Sequence, residues 1–328
     1  MKVRKEIQRE EVSDEVLAYT TLVKPILTAT LYAIKQDVIA ETGGYQNTKL
    51  KMLPRLYRDG AGDCGICFEY AVHEAIKEND PRVMSRIEDA LKICKISPHG
   101  DTESILFGLE KNGKLGLIDT ANELLTDDSQ LLYGKQGRPA KLKRHINTIS
   151  GAFKNRKTRP SLPTSINGLW KTDLFVGSPS VDNWIGTSVK INPKQLEGAN
   201  GLRVGIVPIR AGQTDKVRRD ETKNLVICPL HHDHDFMQAF YEAWRIIQAF
   251  IKSDAKTPKE VLLPDPAQRE VCRILEERRE FPIVDVIDAL DVFGQSGLVE
   301  TSVIEVETET LNSDGVTDLM IAPRGLDI

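Results

Sequence analysis

The chain is predicted to be an α/β protein, and three observations carry that prediction. Short β-branched runs cluster between positions 170 and 230, amphipathic helical patterns lie on both sides of them, and the apolar content is that of an ordinary globular chain. The 328 residues are 40% hydrophobic and 28% charged, enough for a sizeable core in one large domain or two ordinary ones. No stretch approaches the roughly 18 consecutive apolar residues of a membrane span. The N-terminal run MKVRKEIQREEVSDE has no signal-peptide core. The five cysteines, Cys64, Cys67, Cys94, Cys228 and Cys272, are scattered and odd in number. A disulfide framework or a zinc site of paired cysteines is therefore not expected, and a cytoplasmic location is.

Residues 12–40 carry apolar positions at helical spacing, with Pro25 expected to break or kink the helix. YRDGAGDCG is a glycine-rich turn. From it rises the amphipathic run ICFEYAVHEAIKEN, with Asp63 as its N-cap and an end near Asn79-Asp80-Pro81. PRVMSRIEDALKIC is a second helix with Pro81 in its first turn. Residues 101–133 read as mostly helical, and AKLKRHINTISGAF as one further helix before the linker TRPSLPTS.

At Trp170 the texture changes. WKTDLFVG and WIGTSVKIN read as adjacent strands joined by the turn SPSVDN, GLRVGIVPI as a third strand and NLVICPL as a fourth. FMQAFYEAWRIIQAFIK is then a long amphipathic helix. In the tail, AQREVCRILEERRE and IVDVIDALDVFG are helices and SGLVETSVIEVETET a strand or hairpin. Residues 1–255 are thus expected to form one α/β domain with a helical and basic insertion over about 80–170. Residues 256–328 would form a small C-terminal α+β module, winged-helix-like in its element order, or equally an appendix on the main core.

Charge is distributed unevenly. The net charge is −4, yet positions 129–172 hold ten cations and no Asp or Glu, while the rest of the chain has 34 basic against 48 acidic residues. A polyanion is drawn to that one segment. Lys141, Lys143, Arg144, Arg156 and Lys157 are the candidates for gripping a DNA backbone.

The chemistry is expected around Asp173. A carboxylate within an apolar strand is costly unless it is exposed, paired or bound to a cation. On the next strand Ser188 and Lys190 are two apart, so they share a face while Val189 takes the other. If the two strands pair, Asp173 sits beside both. This arrangement resembles the PD-(D/E)xK nuclease superfamily, with its restriction-endonuclease-like mixed sheet. That family's signature is an Asp on one strand, then an acid, any residue and Lys on the following strand, often with a Glu from the preceding helix. Asp173 matches the first Asp, Lys190 the Lys, and Glu69 in GICFEYAVHEAI the helix Glu. Ser188 stands where the family usually has an acid, so Glu69, Glu74 or Glu197 must supply the missing carboxylate. The resemblance implies a divalent-metal-dependent endonuclease. Asp173, Glu69 and the Val189 carbonyl would ligate Mg²⁺ or Mn²⁺, Lys190 would stabilise the transition state and Ser188 would orient water. It also implies a homodimer and a role in restriction or anti-phage defence.

Two other functional readings compete. In a non-catalytic DNA-binding protein, Asp173 and Lys190 form a structural ion pair and the C-terminal module reads sequence. In the other, GDCGICFEYAVHEAI resembles the opening of the catalytic helix of papain-like cysteine proteases, with Cys67 as the nucleophile. Its His partner would come from His231, His232 or His234. Ala61 stands where that family expects the oxyanion-hole Gln, and Phe68 where it expects Trp. The run LHHDHDF, residues 230–236, could bind a transition metal, or could be a polar loop in which Asp233 or Asp235 caps the next helix.

Overall fold

The structure is a computed structural model and describes residues 13–58, 63–97, 100–107, 123–133, 138–198, 200–210, 212–231 and 235–294. Its centre is a mixed sheet of eight strands. In chain order these are β1 (Glu103–Leu106), β2 (Gln130–Tyr133), β3 (Arg138–Lys141), β4 (Leu174–Ser178), β5 (Asn183–Val189), β6 (Arg203–Ile209), β7 (Arg218–Asp220) and β8 (Leu225–His231). The spatial order is β1-β4-β5-β6-β8-β7, with β2 and β3 attached beside β5.

Strand β5 is the hub. Along one edge it pairs antiparallel with β4, Leu174 facing Thr187 and Ser178 facing Asn183. Along the other edge its first half pairs parallel with β2 and its last three residues pair parallel with β6. β6 in turn pairs parallel with β8 over seven residues. Six of the seven residues of β5 are buried, and β4 and β6 are buried throughout. A strand shielded on both faces reads as an apolar rather than an alternating run, as β6 does with Val204, Ile206, Val207 and Ile209.

The helices divide between the faces. One face is covered by α4 (Cys64–Lys77) and α5 (Pro81–Ile93), with α1 (Asp14–Ala33) behind α4. The short helices α2 (Gln36–Glu41) and α3 (Leu53–Leu56) follow α1 in the chain. Helices α7 (Asp235–Lys252), α8 (Pro266–Glu277) and α9 (Ile283–Gly294) pack around α1. Phe68 of α4 meets Phe240 of α7 with ring centroids 5.2 Å apart. The opposite face carries α6 (Leu142–Lys154), whose Leu142, Ile146 and Ile149 pack into a smaller apolar cluster with Phe175 and Trp184. Each fully buried aliphatic or aromatic side chain here contributes about 1.5–3 kcal/mol through removal from water.

Local chemistry accounts for the element ends. Asp63 accepts the Ile66 N–H at 2.9 Å, so the predicted cap forms, and Asp80 accepts the Arg82 N–H at 2.9 Å and caps the next helix in the same way. Asn79, at φ 53°, turns the chain between α4 and α5.

Several expectations need correction. α1 runs through Pro25 without ending and stops only before Ile34. The lost N–H is offset by burial of Leu22, Val23, Ile26 and Leu27. α1 is long and apolar enough to cross a membrane by length and composition, but more than half of it is buried inside the fold. Residues 101–133, read as mostly helical, contribute β1 and β2 instead, with 108–122 outside the described residues. β3 and β7 are strands that the pattern did not announce; each is four residues or fewer, too short to show a period. For the tail, the described part of 256–328 follows the second of the two expectations: Val271, Leu275, Val286 and Leu290 share one core with α1. The predicted wing strand lies outside the described residues.

Candidate active site

Asp173 lies one residue before β4, yet its backbone continues the ladder. Its N–H donates to the Thr187 carbonyl at 2.9 Å, and its own carbonyl accepts the Phe107 N–H at 2.9 Å. The antiparallel register therefore sets Asp173 opposite Ser188, as the spacing predicts. Alternation along β5 does the rest. Ile185 and Val189 point into the core beneath α4, while Trp184 points to the α6 side, so Ser188 and Lys190 share Trp184's face.

Glu69 comes from α4. His73, one turn further on, meets Ser104 of β1 through its Nδ1 at 2.9 Å, so this stripe of α4 faces the sheet. Glu69 is 7% exposed and Asp173 is 1% exposed. Between them stands the ammonium of Lys190, 2.7 Å from Asp173 Oδ2 and 3.3 Å from Glu69 Oε1. Asp173 Oδ2 also accepts the Val189 N–H at 2.9 Å. The three charged residues named from the sequence thus meet at one point, two buried carboxylates holding an ammonium that stays partly exposed.

Asp173 and Lys190 open into a cleft of about 320 Å³, and Glu69 lies behind Lys190 and does not line it. Ser188 lines it, with Trp170, Lys171, Glu197 and Arg203. Of the acids named as substitutes at the Ser188 position, Glu69 reaches Lys190, and Glu197 lies at the rim bonded to Lys171 at 2.6 Å. The Lys171 contact holds the Glu197 carboxyl below the ordinary carboxylate range. Glu74 lies elsewhere, ion-paired with Lys24.

Asp173 and Glu69 are hard oxygen donors of the kind Mg²⁺ or Mn²⁺ takes. Mg²⁺ sites commonly use one or two carboxylates and leave the remaining positions to water and phosphate. The donor set therefore fits such an ion, with Lys190 as its neighbour. Among the described residues no three His, Cys, Asp or Glu side chains form a complete metal cage.

The basic segment is partly neutralised by acids just ahead of it. Lys141 lies 2.7 Å from Asp128 and Lys143 3.4 Å from Asp127. The Lys141 hydrogen bond holds the Asp128 carboxyl below its usual range. Arg159 stacks over the Trp170 ring at 3.8 Å. Arg144, Arg156 and Lys157 are exposed and form no ion pair among the described residues. Lys135 lies outside those residues.

The cysteine-protease expectation fails on geometry. Cys67 is fully buried and its thiol points to the Ile26 carbonyl at 3.8 Å. Burial pushes its pKa up, the opposite of an activated nucleophile. Cys64, nearer the helix start, is likewise pushed up to about 11 by burial. Of the histidine run, His231 ends β8 with Nε2 3.2 Å from Asp215, which also binds Arg86. Positions 232–234 lie outside the described residues, and Asp235 begins α7.

Sequence reasoning missed Arg203, Lys171 and Trp170 as parts of the cleft. A signal for Arg203 was present: it is the one charge in the apolar strand GLRVGIVPI. Comparison with family models, with curated proteins and with solved structures returned no match.

Proposed function

We propose that this chain is a divalent-metal-dependent endonuclease that hydrolyses DNA phosphodiester bonds. The observation that carries the reading is the Lys190 ammonium held between Asp173 and Glu69 at the end of the central strand. The order of elements around it also supports the reading: a helix bearing the Glu, then antiparallel strands bearing Asp and Lys, then parallel strands. That order suits the restriction-endonuclease-like core that the motif resembles.

In this reading Asp173 and Glu69 hold Mg²⁺ or Mn²⁺, which when bound polarises a phosphoryl oxygen and acidifies water. Lys190 shifts from the carboxylates to the scissile phosphate and offsets the charge that grows there. Ser188, on the same face, donates or accepts one hydrogen bond to the attacking water. Arg144, Arg156 and Lys157 hold the backbone. Duplex cleavage needs two such sites, which fits a homodimer, and a role in restriction or anti-phage defence fits such an activity.

A second reading, a DNA-binding protein without catalysis, is favoured by one observation: Lys190 already neutralises both acids, as a structural ion triad does. Supercoiled plasmid separates the two. With Mg²⁺ the enzyme nicks or linearises it, and EDTA or Lys190→Ala abolishes this. Plasmid retarded in a gel but left intact at every metal concentration rejects the enzyme.

A further inference from the structure

Arg203 has no role in the chemistry just described, and its surroundings are unusual for a cation. It opens β6, a strand buried at every position, and is itself 5% exposed. Its guanidinium cannot shed its proton under ordinary conditions and brings five N–H donors. Yet among the described residues it forms no ion pair, and its buried Nε has no hydrogen-bond partner. Its terminal nitrogen donates to the Gly198 carbonyl at 3.5 Å, the far limit of such a bond. Burial depresses its affinity for the proton; Tyr133, then Asp173 and Glu197, oppose this through space without a hydrogen bond to it.

All three are committed elsewhere, the Tyr133 hydroxyl to the Asn167 carbonyl, Asp173 to Lys190 and Glu197 to Lys171. A buried charge with unused donors is destabilising unless a counter-charge arrives. Arg203 lines the same cleft as Lys171 and Lys190, so that counter-charge has an entry. Three cations converge there, and the planar fork of an arginine suits an oxyanion better than a point charge does.

We propose that Arg203 seats a phosphate of the nucleic-acid strand, next to the phosphate that Lys190 engages. The seat fixes the strand in register over Asp173. The identity of the phosphate's owner rests on the nuclease reading; the anion seat itself does not.

The test uses inorganic phosphate as the probe, with EDTA present so that no cutting is needed. Phosphate is expected to raise the melting temperature of the wild-type chain and to bind about tenfold to a hundredfold more weakly to Arg203→Met, the loss typical of charge-assisted hydrogen bonds. Without phosphate, Arg203→Met should melt at the wild-type temperature or above, because a buried unpaired charge has been removed. A merely structural arginine would instead lower it. If Arg203→Met does not fold, Arg203→Gln decides: a folded variant with tenfold weaker phosphate binding supports the seat. Equal phosphate binding by wild type and either folded variant, or none by wild type, overturns it. Phosphate bound through Arg203 by a chain that leaves plasmid intact with Mg²⁺ rejects the nuclease and keeps the seat. Metal-dependent cutting with phosphate binding unaltered in the variants does the reverse.

Discussion

Lys190 Nζ lies 2.7 Å from Asp173 Oδ2, and that same oxygen takes the backbone N–H of Val189 at 2.9 Å. Two consecutive residues at the end of β5 thus grip one carboxylate at the start of β4. The side chain of Asp173 cannot rotate without breaking both bonds, so it is pre-organised before any ligand arrives.

Asp173 and Glu69 should therefore differ in what their loss does to the fold. Asp173→Ala leaves the Val189 N–H unpaired and Lys190 with only the longer contact to Glu69. It is expected to cost about 3 kcal/mol, as breaking a buried ion pair does. Glu69→Ala leaves the stronger half of the triad intact and should cost about 1 kcal/mol. Urea denaturation of the two variants measures the difference. Equal costs would mean that the two acids share Lys190 evenly.

Removal of the ammonium gives a test of cation binding that does not depend on cutting. Lys190→Ala places two carboxylates around a buried point with no positive charge between them. Its stability should fall by about 3 kcal/mol. Mg²⁺ should then raise its melting temperature more than that of the wild type, because the ion replaces the missing charge and binds only the folded state. NaCl at matched ionic strength is the control. A rise no larger than with NaCl would show that Asp173 and Glu69 do not form a divalent-cation site.

His73 predicts a pH dependence. Its imidazole is buried against Ser104, and burial, with Lys77 and Lys24 adding repulsion, lowers its pKa from 6.5 to about 3. Above pH 6.5 the ring is neutral in both states and nothing changes. As pH falls below 6.5 the unfolded chain binds a proton that the folded chain refuses, so stability declines toward about pH 3. Between about pH 7.5 and 5 this amounts to about 2 kcal/mol. His73→Gln lacks that proton, so its stability deficit relative to wild type should shrink by this amount over the same range. A deficit constant with pH would mean that the ring takes up its proton inside the fold.

How much of this was legible follows from the range of each interaction. Helices α4, α5, α6, α7, α8 and α9 could be read because their caps and periodicity are local: Asp63, Asp80 and Pro81 stand beside the turns they start. The juxtaposition of Asp173, Ser188 and Lys190 was readable because a hairpin brings near neighbours together with a fixed alternation. Glu69 could be named only through the resemblance, since its distance of more than a hundred positions from Asp173 is closed by tertiary packing that no local rule encodes. β1 and β2 were hidden for a similar reason. Their four-residue runs gain strand geometry from pairing with β4 and β5 rather than from their own propensity. The neutralisation of Lys141 and Lys143 was not legible because Asp127 and Asp128 stand just outside the acid-free run 129–172 and reach it only through the β2–β3 pairing.

That pairing sets the last prediction, for the basic segment. A cation already bonded to a carboxylate must exchange it for a phosphate and gains little, whereas a solvated one releases counterions from DNA at full value. Arg144, Arg156 and Lys157 are of the second kind, and Lys141 and Lys143 of the first. Each lost phosphate contact reduces the slope of log K against log salt by about one. The triple variant Arg144→Ala, Arg156→Ala, Lys157→Ala should therefore lower the slope by about three and weaken DNA binding uniformly across sequences. Lys141→Ala with Lys143→Ala should lower it by less than about one in total. Fluorescence anisotropy of a labelled duplex in EDTA, repeated over a salt series, reads both slopes. Equal reductions per residue would mean that Asp127 and Asp128 release their lysines to DNA without penalty. No reduction in either variant would remove the segment from the DNA interface.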